Sequence, residues 1–182
     1  SLNIVRLWTS GALQKDIEID SFVISEFAVR LDGLMNYYDF KHTTKEVQLL
    51  EQFYNQTGYL KEFAQPYFVE SAAELFNKLK KDCTPGITAT AGGFYGPQGR
   101  ILRIPLKENQ LNEKLRDFKM DSYRITNFEM ESSGLYGLSR ALGHNACTIC
   151  AIIANRFSGD FSNNYQKPIT KLIEKTLSEL TD

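Results

Sequence analysis

Gly86-Ile87-Thr88-Ala89-Thr90-Ala91, followed directly by Gly92-Gly93-Phe94-Tyr95-Gly96-Pro97-Gln98-Gly99-Arg100, is the stretch from which the rest of the chain is read. The first six residues form an apolar strand. The next nine form a glycine-rich loop that carries one aromatic ring, one amide and one guanidinium. Phe94 can stack on a flat ring. Gln98 presents a donor beside an acceptor, and Arg100 presents fixed donors and no acceptor. That set complements the edge of a base such as uracil, in which carbonyl acceptors flank one N–H donor. Taken alone, a Gly/Pro loop after a strand also reads as a solvated turn.

Two further runs bear on the choice. Asn127-Phe128-Glu129-Met130-Glu131-Ser132-Ser133 sets two carboxylates in an apolar context. Charged side chains are rarely buried without partners, so a hydroxyl-rich ligand fits there, although an exposed edge strand fits the run as well. Ile4-Val5-Arg6-Leu7-Trp8-Thr9-Ser10-Gly11-Ala12-Leu13-Gln14 is a β-prone run that breaks at small residues, with Arg6 just before the break. Hydroxyls, freed N–H groups and an arginine at a strand end make an anion site. An ordinary strand end with a small-residue turn is the other reading.

Through these three runs and Ala151-Ile152-Ile153-Ala154-Asn155-Arg156, the chain resembles the nucleoside phosphorylase superfamily, and within it the uridine phosphorylase type. The Phe-Tyr-x-x-Gln-x-Arg pattern points to its pyrimidine branch. The resemblance implies reversible phosphorolysis of a pyrimidine nucleoside to the free base and a pentose 1-phosphate, without a covalent enzyme intermediate. It implies inorganic phosphate as co-substrate, no cofactor and no metal, and assembly into homo-oligomers (dimers, or trimers of dimers). By the same resemblance Arg6 and Thr9 hold phosphate. Glu131, with Met130 and Glu129, holds the ribose, and Phe94, Gln98 and Arg100 bind the base with Arg156 in support. Arg6, Gln98, Arg100 and Glu131 form the catalytic set.

Two departures from the family pattern stand out. The resemblance implies a further N-terminal portion ahead of the Arg6 strand, so the chain reads as a single domain, the C-terminal part of a longer fold. Trp8 occupies a position where the family pattern has glycine, and glycine there lets backbone approach phosphate closely. The Thr9 loop is therefore expected to be displaced or poorly ordered, and phosphate binding weak. Two alternatives remain. A purine-type phosphorylase or nucleosidase would carry an aspartate where Asn155 stands, and a catalytically silent module would keep the fold alone.

Composition agrees with one α/β domain. The 182 residues are 42% hydrophobic, and 21 basic against 22 acidic residues leave a net charge of −1, with no basic excess to suggest nucleic acid. The longest apolar run, Ala146 to Ala154, is too short to span a bilayer. With no secretory pattern and three cysteines that read as free and buried, a cytoplasmic setting is expected. Cys147 and Cys150, three apart in a strand, face opposite ways and cannot share a metal. His42 and His144 sit in polar loops, with no carboxylate cluster beside either.

Periodicity predicts strands at Asn3–Trp8, Ser21–Arg30, Gly86–Gly92, Ile125–Met130 and Ala146–Asn155, and helices at Glu70–Lys81, Glu108–Phe118, Ser133–Leu142 and Lys167–Leu180. Ser132 or Ser133 would cap the third helix and Gly143 stop it. The last carries an apolar stripe, Ile169, Leu172, Ile173, Leu177 and Leu180, expected to pack on the sheet. Leu31 to Phe68, rich in aromatics, reads as a long loop or a subunit contact. The class is α/β, a mixed central sheet flanked by helices.

Overall fold

The computed structural model of the protein describes residues 1–181. The expected α/β class holds, and its sheet is mixed. Seven strands take part: β1 (Asn3–Ala12), β2 (Phe22–Arg30), β3 (Tyr67–Glu70), β4 (Thr84–Thr90), β5 (Lys119–Met120), β6 (Tyr123–Glu129) and β7 (Asn145–Asn155). Their order is β1-β7-β2-β4-β6-β5, with β3 on β2. β1 also meets β6, antiparallel, at Gly11–Phe128 and Ala12–Asn127, so five of the strands close on themselves. Beyond that pair β1 and β6 diverge, leaving a wedge between Trp8–Ser10 and Glu129–Glu131.

The closed sheet has a polar seam inside it. Ser25 hydrogen-bonds Thr88, Thr88 donates to Asn127 Oδ1 at 2.8 Å, and Asn127 Nδ2 donates to Ser10 at 2.8 Å. All four residues are buried. A buried polar group without a partner is costly, and here each member supplies the next. The seam ties β2, β4, β6 and β1 into one register just below the wedge.

Five helices cover the sheet: α1 (Thr44–Thr57), α2 (Ala73–Leu79), α3 (Leu111–Asp117), α4 (Ser132–Ala141) and α5 (Gln166–Thr181). None of the helices among the described residues is long and apolar enough to cross a membrane. The segment read as a loop or subunit contact contains α1. Thr43 accepts from the Glu46 N–H at 3.2 Å, and Glu46 returns the bond to the Thr43 N–H at 2.9 Å, a reciprocal cap that starts the helix. Several of its aromatics build core. Phe53 packs against Tyr59, Phe68 and Phe118 with ring centroids 5.5, 5.8 and 5.7 Å away. Tyr37 and Tyr38 stay exposed.

Other expectations change as well. The helix placed from Glu70 is preceded by strand β3 and begins only at Ala73. The α4 N-terminus takes no cap from Ser132 or Ser133. The Glu129 carboxylate receives the N–H groups of Glu131 and Ser132 instead, at 2.9 and 2.8 Å. Gly143 does stop this helix, in the left-handed region at φ 72°. Of the α5 stripe, Ile169 and Leu172 pack against Cys147, Ile149 and Ala151, while Ile173, Leu177 and Leu180 face outward. His42, in the loop before α1, lies 3.4 Å from the buried Glu46 carboxylate, which Arg140 holds at 2.7 Å.

The three cysteines are free, and Cys147 and Cys150 are fully buried. Burial pushes both thiols up to about 12 and raises Cys83 as well. All three are protonated at neutral pH, and only the thiolate is nucleophilic. We expect a chromogenic disulfide reagent at mildly alkaline pH to titrate at most Cys83 in the native protein, slowly, and all three thiols after denaturation. Rapid labelling of three thiols in the folded state would contradict this burial.

Candidate active site

The wedge between β1 and β6 opens into a cavity of about 620 Å³, walled by Trp8 to Gly11, Phe94, Gln98 to Arg100, Asn112, Phe128 to Glu131 and Ile153 to Arg156. All three predicted runs and the end of β7 therefore meet at one cleft. A neighbouring cavity of about 480 Å³ behind the Gly92–Pro97 loop is walled mainly by Leu31, Tyr59, Phe63 and Leu111. It lacks a converging set of donors and does not compete as a polar-ligand site.

Gln98 is the centre of the side expected to take a base. It is 3% exposed, on a 3-10 turn (Gly96–Gln98) that ends at Gly99, φ 71°. Its Oε1 accepts from Arg100 Nη1 at 2.7 Å and from Arg156 Nη2, while its main-chain carbonyl accepts from Arg156 Nη1 at 2.9 Å and Asn112 Nδ2 at 3.3 Å. A guanidinium has no acceptor, so the amide oxygen must face the two arginines. Its NH2 group then points away from them, and no protein atom among the described residues accepts from it.

Neither Arg100 nor Arg156 has a carboxylate within ion-pair distance among the described residues. Burial lowers Arg100 and brings Arg156 down to about 10, with the nearby Arg100 charge adding to the second shift. Both remain cations at neutral pH. Arg156 lies over the Phe128 ring at 4.9 Å, and its Nε is buried without a partner. Two close, unneutralised guanidiniums make a site poised for negative charge. Phe94 is already in contact with Arg100. Arg100 stacks on its ring at 3.8 Å and donates to its carbonyl at 2.5 Å, leaving half of the ring exposed.

The side expected to take the sugar is built on the turn after β6. Glu129 is buried, and its carboxylate accepts from Thr90 Oγ1 at 2.6 Å, from the two α4 N–H groups, and lies 3.0 Å from Arg6 Nη1. Protein donors engage both of its carboxylate oxygens, which suits the supporting role beside Glu131 that the resemblance implies for Glu129. Glu131 differs. Its side chain is 56% exposed and meets only the Arg6 Nη2 group. Met130 lines the cavity between them, and its carbonyl accepts from Arg30 at 3.2 Å.

The phosphate run does not break where the sequence suggested. β1 pairs with β7 without a slip from Asn3 to Ser10, and the bulge comes only between Ser10 and Gly11. In an unbroken strand Arg6 and Trp8 share a face and Thr9 takes the other. Arg6 and Thr9 therefore do not converge through their side chains, although Thr9 borders the cavity on the open edge of β1. Trp8 takes no left-handed backbone angle, and Thr9 continues the strand in register with Ala151. Its indole points into the cleft, 55% exposed, with the Arg6 guanidinium 5.4 Å from the ring centre. Extended backbone accommodates a bulky residue here without strain.

Asn155 closes the floor. Its amide donates to the carbonyls of Gln14 and Ile17 at 2.9 and 3.0 Å, and its Oδ1 accepts from the N–H groups of Phe157 and Ser158. Every polar atom of the side chain serves the fold. Asn112, Thr90 and Phe161 also contribute to the site, and none was visible in the sequence. Thr90 reaches Glu129 and Asn112 reaches the Gln98 carbonyl, while Phe161 joins the lining beside its bridge partner Ala154.

Fold and cleft together define an α/β protein with a cationic base-sized half, a carboxylate half and an arginine between two acids. The chain belongs to the Phosphorylase superfamily, whose family description matches residues 2–178. It is 30% identical over 181 residues to the uridine phosphorylase of Thermococcus kodakarensis, covering 98% of this chain and 57% of that protein. It is 28% identical over 177 residues to the uridine phosphorylase of Haemophilus influenzae, covering 96% and 61%. A DeoD-type purine nucleoside phosphorylase of Bacillus thuringiensis is 24% identical over 168 residues, covering 92% and 58%. Among solved structures, a Trypanosoma brucei nucleoside phosphorylase described as showing uridine phosphorylase activity superposes with a TM-score of 0.86 at 24% identity, over 98% of this chain and 63% of that one. The chain thus spans less than two thirds of the length of each of these relatives.

Proposed function

We propose that the protein containing this chain catalyses reversible phosphorolysis of uridine, or a related pyrimidine nucleoside, to uracil and ribose 1-phosphate. The observation that carries this reading is the pair of unneutralised guanidiniums on Gln98. A phosphate oxygen attacks the anomeric carbon, the C1′–N1 bond breaks, and the bonding pair passes into the base. Arg100 and Arg156 stabilise that charge, and the free Gln98 NH2 group donates to a base carbonyl. Such preorganised donors act mainly on the transition state, where the charge develops. Glu131 receives the ribose hydroxyls, held in place by the Glu129 turn and lined by Met130. Phosphate takes Arg6 and the open β1 edge at Thr9, and no other cofactor is required.

The uridine phosphorylases among the relatives support the pyrimidine assignment. So does Asn155, an amide fully used by the fold where a purine-type enzyme would need an acid. In this reading the protein is a cytoplasmic homo-oligomer, a dimer or a trimer of dimers. Its partners are a nucleoside and phosphate, with neither nucleic acid nor membrane. Assay of uridine and inosine, each with and without phosphate, tests it. Phosphate-dependent release of uracil with ribose 1-phosphate is expected, and preferential cleavage of inosine would refute it.

A further inference from the structure

Arg6 is the natural anion ligand of the cleft, yet both of its terminal nitrogens already face a carboxylate. Glu129 lies 3.0 Å from Nη1, Glu131 holds Nη2, and the Trp8 ring stands beside the guanidinium at 5.4 Å. Cation–π contact at that distance favours a guanidinium kept where it is. One cation facing two carboxylates leaves this half of the cleft with a net charge of −1, the wrong sign for phosphate. The three contacts are unequal, however. Glu129 is buried and tied to Thr90 and the α4 N–H groups, whereas the Glu131 carboxylate is more than half exposed and has no other side-chain partner.

We infer that Glu131 serves as a built-in competitor for phosphate, and that the anion site is completed only when a nucleoside's ribose hydroxyls draw Glu131 away from Arg6, with Trp8 covering the guanidinium until then. The inference rests on the nucleoside reading above and adds an order to it: nucleoside promotes anion binding. Linkage makes the effect reciprocal, so the anion must tighten the nucleoside by the same factor. Trp8 is thereby a specificity-determining residue on the anion side. It narrows the approach to Arg6 so that a tetrahedral anion enters only past Glu131.

The chain reports on this itself, because Trp8 is the one tryptophan in its 182 residues. Sulfate, a tetrahedral dianion that does not react with uridine, is titrated against tryptophan fluorescence and by calorimetry. Wild type should bind sulfate weakly alone and roughly tenfold more tightly with saturating uridine, within the usual range of coupling between sites. Glu131→Gln should bind sulfate tightly without uridine and lose most of the coupling. Trp8→Gly, followed by calorimetry because it lacks the fluorophore, should also bind sulfate more tightly than wild type; equal affinity would remove Trp8 from the proposal.

Unchanged sulfate affinity in Glu131→Gln would overturn the inference whether or not uridine binds. So would uridine that binds wild type without altering its sulfate affinity. Absence of any uridine binding would instead overturn the nucleoside reading, and the Glu131→Gln comparison would still decide whether Glu131 competes with the anion.

Discussion

Arg100→Ala will lower uridine turnover on the order of a hundredfold or more while the protein keeps its fold. Loss of one charge-stabilising donor in a water-poor site has an effect of that size. Arg100 sits on the loop, and its contacts are to Gln98, to the Phe94 carbonyl and to the Phe94 ring. None of these is a core contact. Gln98→Ala will also slow turnover, but it will cost stability, contrary to what its loop position suggests. Its Oε1 is the shared acceptor of two guanidiniums in a buried setting, and a buried donor left unpaired costs about 1–3 kcal/mol. Gln98→Glu separates the two effects. It keeps the shape and gives Arg100 and Arg156 a counter-ion, so unfolding should require more denaturant. Turnover should still fall, because the charge meant for the departing base is already neutralised. Normal kinetics in Gln98→Glu would remove the two arginines from the chemistry.

Glu129 and Glu131 stand two residues apart in sequence and will respond in opposite ways. Glu129→Ala is expected to destabilise the fold by about 3–5 kcal/mol, the usual cost of breaking a buried, fully engaged ion pair. It abandons Thr90, two N–H groups of α4 and Arg6 together. Glu131→Gln should leave the denaturation midpoint nearly unchanged, since an exposed pair contributes little to stability. Its loss should appear in turnover, through weaker hold on the ribose and less support for positive charge at the anomeric carbon. Urea denaturation and steady-state kinetics on both variants check the pair. Comparable destabilisation by the two would mean that their division into support and ligand is mistaken.

The two carboxylates also illustrate what a sequence can say about this site. Glu-Met-Glu is legible as a pair of acids in an apolar run, but their division of labour is not. Alternation alone would turn Glu129 and Glu131 to the same side. The difference arises because β6 ends at Glu129, so its carboxylate reaches the amides that open α4 while Glu131 is carried out to solvent. A similar limit applies to α1. The Thr43-x-x-Glu46 cap is a local signal, yet the buried face of the helix sets Glu46 and Thr57 beside Leu49 and Phe53, so no clean apolar stripe marks it. Its aromatics took meaning only from Phe68 and Phe118, brought in by other elements.

By itself the sequence determined the α/β alternation, five of the seven strands, four helices to within a few residues, and the three runs that meet in the cleft. These rest on periodicity, glycine placement and short-range chemistry, which act over a few residues and survive without tertiary context. Only the tertiary structure decided that β1 continues past Trp8, that Trp8 faces the cleft, and that Gln98 is a buried junction of two arginines. It also decided that Arg6 is claimed by two acids more than a hundred residues away. The physical reason is the closure of the sheet between Gly11 and Phe128. Strand pairing at that long-range contact sets which faces of β1 and β6 oppose each other, and no local pattern in either strand contains that information.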